Sequence, residues 1–175
     1  MRMFISIALL IACNASVARA GDGPQSLTDL ARLNAGQLEA LFLNAPRPTE
    51  IPSGKTRGLV FFEPGKLTSR LQGRIFQLLW QGKKLDSSAG IMKNRVGPFT
   101  VIPAAIYLDE SFTDGDTALV LDYHGMQSKT TQFADGARDE VREISPGLWL
   151  GRMWVLGKDG NYTPSSWFAL KWLEN

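Results

Sequence analysis

The sequence predicts an α+β, mainly β domain: an antiparallel curved sheet or small barrel with one central helix and a short N-terminal helical arm. Three observations predict it. From Lys55 onward, apolar and polar residues alternate with a period of two in one short segment after another. Asp114-Gly115, Asp135-Gly136, Pro146-Gly147 and Asp159-Gly160 fall between those segments, where turns belong. One stretch, 67–78, interrupts the alternation with helical spacing.

The chain opens with Arg2, an apolar run from Met3 to Ala12 and an Ala18-Arg19-Ala20 ending. These are the three parts of a secretory signal peptide over residues 1–20, cleaved before Gly21. The apolar run is about ten residues, whereas crossing a hydrocarbon core takes about 20. Leu10-Ile11-Ala12-Cys13 also carries the spacing of a lipoprotein processing site, which would leave Cys13 lipidated and anchor the domain to a membrane face. The expected location is therefore exported, in a bacterial periplasm, with a membrane-anchored lipoprotein as the alternative.

Loss of residues 1–20 removes Arg2 and Arg19 from the 19 cations, leaving 17 against 17 carboxylates. A neutral domain lacks the basic footprint of nucleic-acid binding, so no nucleic-acid partner is expected. The one cysteine, Cys13, leaves with the same segment, and His124 is the only histidine. Thiolate nucleophiles, disulfides, sulfur-ligated zinc and multi-histidine sites are thereby excluded, and neither metal nor cofactor is expected. Stability has to come from a packed core, and a chain of roughly 155 residues buries about two thirds of its unfolded surface.

Residues 21–54 read as the arm and its connector. Ser26 can cap a turn of LTDLARL, and Asn34 with Gln37 three residues on forms a capping box for AGQLEALFLNA. Leu38, Leu41 and Phe42 share a face of that helix, which is expected to lie over the main domain. Pro46, Pro48 and Pro52 then stop regular structure and stiffen the connector.

Residues 55–175 read as the sheet-rich, barrel-like domain. TRGLVFFE predicts a strand, and Leu67, Leu71, Ile75 and Leu78 predict a helix that Gly82 ends. Arg70 and Arg74 are expected on its opposite, solvated face, where with Lys83 and Lys84 they form surface charge or a patch for anionic lipid or glycan. Trp80 beside Lys83 is expected to fill core, or to stack under the lysine stem or a sugar. Further strands are predicted at 83–86, 90–95, 99–108, 117–123, 138–144, 148–157 and 166–173. DESFTDGDTA predicts a hairpin rather than a calcium loop, since Phe112 stands where an oxygen ligand is required.

The segments LLWQGKKLD, NRVG, LVLDY, DEVREISPGLWLGRMW and WFALKWL, spread over about residues 55–173, resemble those of small uncharacterised bacterial exported domains with a Trp-x-Gly-Lys motif. That resemblance implies a lipocalin-like sheet. It brings no catalytic set, so it assigns no residue a role.

Along 148–157, Leu148, Leu150, Arg152, Trp154 and Leu156 share one side, which makes Arg152 a cation in an apolar row. It either pairs with a carboxylate such as Glu140 or Glu143, or grips an anionic head. In the second case Tyr107 or Tyr123 assists and an apolar tail lies on Trp154, Phe99 and Phe61. The expected function is a cell-envelope protein holding an apolar or amphipathic anionic, lipid-like small molecule in a barrel.

Two alternatives stand beside that reading. Asp122 and His124, two apart at a strand end, can form a proton-transfer pair with Tyr123 nearby, which would make the protein an envelope enzyme. No Gly-x-Ser-x-Gly elbow or phosphate-cradling glycine motif accompanies them, so an enzyme is the less favoured expectation. The other alternative is a protein-partner module using an open sheet edge.

Overall fold

The computed structural model describes residues 23–126, 130 and 134–174, apart from the side chain of Ser69. The segment 1–20 expected as a signal peptide, its expected cleavage point and Cys13 lie outside the described residues. The arm is α1 (Leu27–Leu30) and α2 (Ala35–Asn44). The barrel is β1 (Gly54–Phe61), α3 (Leu67–Gln77), β2 (Trp80–Asp86), β3 (Ile91–Val96), β4 (Phe99–Glu110), β5 (Thr117–Asp122), β6 (Ala137–Ser145), β7 (Leu148–Leu156) and β8 (Tyr162–Trp172). Each strand pairs antiparallel with the next, and β8 returns to β1, so the sheet closes.

Closure gives every strand an inside and an outside. Val60, Leu85, Met92, Ile106, Leu121, Val141, Trp149 and Leu170 meet in the lumen. Leu59, Phe61, Leu148, Leu150 and Trp167 point outward, where Leu30, Leu38 and Phe42 of the arm cover them. Those three arm residues are completely buried. Each contributes about 1.5–3 kcal/mol relative to staying exposed. Both caps form as the sequence predicts: Ser26 accepts from the Asp29 amide, and Asn34 and Gln37 make the reciprocal capping box.

The arm is also tied by charge. Arg142, on the outer face of β6 and wholly buried, gives Asp114 two bonds of 2.7 Å and donates to the carbonyls of Phe42, Asp116 and Thr117. Asp114 belongs to the β4–β5 hairpin, where the sequence predicts a turn rather than a calcium loop. Beyond α2 the proline connector crosses one end of the barrel, bordering Glu143, Trp149 and Trp172, and Ile51 packs on the inner core.

At the opposite end the structure departs from the sequence reading. The helix stops at Gln77, and Gly82 lies inside β2 rather than after α3. Its φ of +120° and its closeness to Thr56 O, 2.6 Å from where a Cβ would sit, fit only glycine. The helix is not enclosed by the sheet but packs along the end of β1. Its barrel side mixes a small, a polar and an aromatic residue: Gly73 is buried against Val60 O, Gln77 donates to Gly58 O at 2.8 Å and Phe76 packs on Trp80, while Arg70 donates to Arg32 O of the arm at 3.3 Å. The apolar stripe of Leu67, Leu71, Ile75 and Leu78 faces outward instead, because the small Gly73 allows the helix to approach the strand backbone on its own side.

Three bulges gather at this end. Gln81, Ile102 and Ser165 are each the extra residue where pairing slips, between Trp80 and Gly82, Val101 and Pro103, and Pro164 and Ser166. Bulges bend and twist strands at barrel rims. The one beside Pro164 lets β8 begin at Tyr162, upstream of the predicted start.

Candidate functional site

The lumen is divided lengthwise. The half toward the proline connector is filled with side chains, whereas the half toward α3 holds a cavity of about 380 Å³. Val60, Phe62, Phe76, Ile102, Met153 and Phe168 make its walls mostly apolar. Two glycines make room for the aromatic rings: a Cβ on Gly58 would lie 2.4 Å from the Trp80 ring, and one on Gly151 would lie 2.2 Å from Phe168.

A polar cluster lines this hollow where hydrocarbon would be ordinary. Lys83 Nζ donates to Tyr123 Oη at 2.6 Å, Asp139 Oδ2 at 2.9 Å and Asn94 Oδ1 at 3.2 Å. Tyr123 donates to Asp139 at 3.2 Å, and Asn94 Nδ2 donates to Tyr123 Oη at 3.1 Å and to Ile102 O at 3.1 Å. Trp80 Nε1 donates to Asn94 Oδ1 at 2.8 Å, and the rings of Trp80, Tyr123 and Phe168 stand 5.3–5.6 Å from the ammonium. Trp80, Lys83, Asn94, Tyr123, Asp139 and Phe168 are all buried.

The strands fix this arrangement. Lys83 and Asn94 are directly opposed on β2 and β3, while Asp139 on β6 and Tyr123 just past β5 reach them across the lumen. Ile102 holds a φ of +54°, uncommon for a β-branched residue, and this strained bulge aims its carbonyl at Asn94.

Burial raises the Tyr123 phenol to about 12, with Asp139 adding to the rise and Lys83 opposing it. Burial by itself would lower Lys83, but the attraction of Asp139 and Tyr123 outweighs it and holds the amine above its ordinary value. At neutral pH the site therefore holds a neutral phenol and a charged ammonium.

Of the sequence-predicted ligand residues, only Tyr123 faces the cavity. Arg152 is on the outer wall, stacked on Trp154 and Trp167 and paired with Glu39 of α2 at 3.2 Å. Glu140 does stand opposite it in register, but its carboxylate accepts from Ser111, Phe112 and Thr113. Glu143 bonds the Gly147 amide. Trp154 packs on Phe112 outside, Phe61 lies under the arm, and Phe99 is exposed at the rim. Tyr107 donates to Asp122 at 2.8 Å, which burial and that bond reflect by raising its phenol to about 12. The structure thus does not bring Arg152 together with Tyr107 or Tyr123.

The proposed proton-transfer pair is not assembled. Asp122 accepts from the backbone amide of His124 at 2.9 Å, while the exposed imidazole faces Asp135 at 3.4 Å. The Thr130 hydroxyl, in the loop beyond His124, accepts from the Ile102 amide at 3.1 Å. Among the described residues no group of three or more His, Cys, Asp or Glu is placed to hold a metal ion.

No family model, curated protein or solved structure matches this chain. What the site does is therefore inferred from its own chemistry.

Lys83, Asn94 and Asp139 went unrecognised as a group in the sequence, where Lys83 reads as surface charge with Lys84. A signal was present: Lys83 shares a strand face with Leu85, Asn94 with Met92 and Asp139 with Val141, all three apolar partners lumen-facing.

Proposed function

We propose that the protein binds an apolar or amphipathic small molecule in the hollow half of the barrel, with a polar group of the ligand meeting the Lys83–Tyr123–Asn94–Asp139 cluster. The observation that carries this reading is the cavity itself: mostly apolar walls converging on a few fixed hydrogen-bonding groups, the usual build of a small-molecule site. In a bacterial envelope such a protein would hold or shuttle a lipid-like molecule.

The charge balance favours a neutral polar end over an anion. Lys83 already spends its three donors on Tyr123, Asp139 and Asn94, and Asp139 cancels its charge. The anionic head expected from Arg152 loses its anchor, since that guanidinium lies outside the barrel. A firmly protonated Tyr123 and Lys83 are poor proton acceptors, which supports retention of a ligand over proton transfer. A partner strand would need an open sheet edge, and the closed barrel offers none.

Titration with N-phenyl-1-naphthylamine, a neutral apolar fluorophore, tests the reading. Saturable binding is expected, weakened roughly tenfold or more by Met153→Trp or Ala137→Phe, either of which fills the cavity. Mass spectrometry of a solvent extract should also reveal a co-purifying amphipathic molecule. Binding that is absent, or unchanged in both folded variants, would overturn the proposal.

A further inference from the structure

We infer that the outer face of α3 is an interfacial anchor that seats the open end of the barrel on an anionic phospholipid bilayer. Leu67, Leu71, Ile75 and Leu78 are 59–76% exposed, and Leu79 and Phe99, also exposed, lie at the same end of the barrel. With Gly73, Phe76 and Gln77 toward the barrel and the leucines outward, the helix leaves most of its apolar surface unburied.

The patch is bordered mainly by cations, Glu63 just before the helix being paired with Lys66 at 2.8 Å. Arg32, Arg70 and Arg74 border the groove along Leu67 and Leu71, and Arg57 and Arg95 border the depression beside Leu78. No Asp or Glu lines either depression, and the chain from Pro64 to Leu85 contains none. An apolar helix face flanked by cations is the composition of helices that lie in the plane of a membrane interface. The rim also selects among occupants. A second copy docking symmetrically would bring the same arginines face to face, whereas anionic headgroups neutralise them.

Phe76 connects this surface to the interior. It sits on α3, contacts Phe62 at 5.7 Å and Trp80 at 6.3 Å between ring centres, and lines the cavity. Docking through α3 would therefore set the mouth of the cavity against the bilayer. The inference rests on the exposed stripe and its arginine rim, and holds whether or not the cavity is occupied.

The test is co-sedimentation of the protein with vesicles of phosphatidylcholine, with and without phosphatidylglycerol, all variants carrying the same N terminus. Binding is expected to be roughly tenfold or more tighter with phosphatidylglycerol and to weaken as salt rises. Leu71→Gln with Leu78→Gln should reduce it at least about tenfold, and Arg57→Gln with Arg74→Gln should remove the lipid preference. A second pair, Leu67→Gln with Ile75→Gln, guards against a local folding defect in the first. Naphthylamine binding should be unaffected by these exposed substitutions, which separates this outcome from that of the cavity proposal. Equal vesicle binding by wild type and by the two pairs that replace apolar residues, Leu71→Gln with Leu78→Gln and Leu67→Gln with Ile75→Gln, would overturn the inference. So would indifference to phosphatidylglycerol, or a dimer in solution that the glutamine pairs dissolve without any vesicle binding.

Discussion

Lys83 and Asp139, 56 residues apart in sequence, meet across the lumen of the barrel at 2.9 Å with neither side chain more than 5% exposed. A buried pair of this kind costs about as much to desolvate as it returns, yet removing one partner leaves the other stranded. Lys83→Met should therefore destabilise the protein by about 3–5 kcal/mol, whereas adding Asp139→Leu should recover most of the loss. Urea unfolding of the two single variants and the double variant measures the coupling. Additive losses would mean the two residues act independently.

Alkaline titration probes the same cluster. The protein has three tyrosines, and burial leads the rise at each: Tyr107 and Tyr123 to about 12, and Tyr162 upward. A phenol whose folded value exceeds its unfolded value of about 10 stabilises the fold fully below that pH. The contribution is lost as pH rises through the folded value. Phenolate absorbance should thus lag in the native protein between pH 10 and 12 and be well advanced in urea. A native titration coinciding with the unfolded one would contradict the buried environment of Tyr123.

Glycine substitutions in the lumen should separate rigid from yielding walls. A Cβ on Gly58 meets both the Trp80 ring and, at 2.9 Å, the Gly82 Cα, so the backbone itself obstructs it. Gly58→Ala should cost about 1–3 kcal/mol by overpacking. On Gly151 the nearest obstruction is the Phe168 ring, a side chain that borders the hollow and can swing into it. Gly151→Ala should be better tolerated but should weaken naphthylamine binding, which thermal unfolding and fluorescence titration together would show.

Arg142 should be the most sensitive outer-wall residue. Arg142→Met strips Asp114 of its two shortest bonds and removes one donor from each of three carbonyls, and should cost about 3–5 kcal/mol. Its hydrogen bond holds the Asp114 carboxyl below the ordinary 3.8. A lowered carboxylate stabilises the fold above its unfolded value and ceases to as pH falls through the folded one. Asp114→Asn should accordingly lose stability at neutral pH and less, or none, in strong acid. Denaturation at both pH values decides it.

Arg152 should matter little by comparison. Its partner Glu39 is half exposed, and such pairs contribute about 0–1 kcal/mol. Arg152→Met should lower stability within about that range and leave naphthylamine binding unchanged. Lost binding would return the anchor to the position the sequence suggests.

Much of the architecture is written locally. Alternation and Asp-Gly or Pro-Gly turns place most of the strands to within a few residues, and the capping residues Ser26 and Asn34 mark the arm, because these signals depend only on near neighbours. Strand faces are legible too: Leu119, Leu121 and Tyr123 do share one, as do Asp139 and Val141. Which face is the lumen is another matter, since period-two patterning is symmetric between inside and outside when both are buried. On β7, Leu148 and Leu150 are as apolar as a lumen row, yet they face the arm, carrying Arg152 and Trp154 outward with them. Bulges at Gln81 and Ile102 shift that parity again, and Gly73 turns the leucines of α3 to solvent. Only ring closure, a contact between β1 and β8 more than a hundred residues apart in sequence, settles those choices and brings Lys83, Asn94, Tyr123 and Asp139 to one hollow.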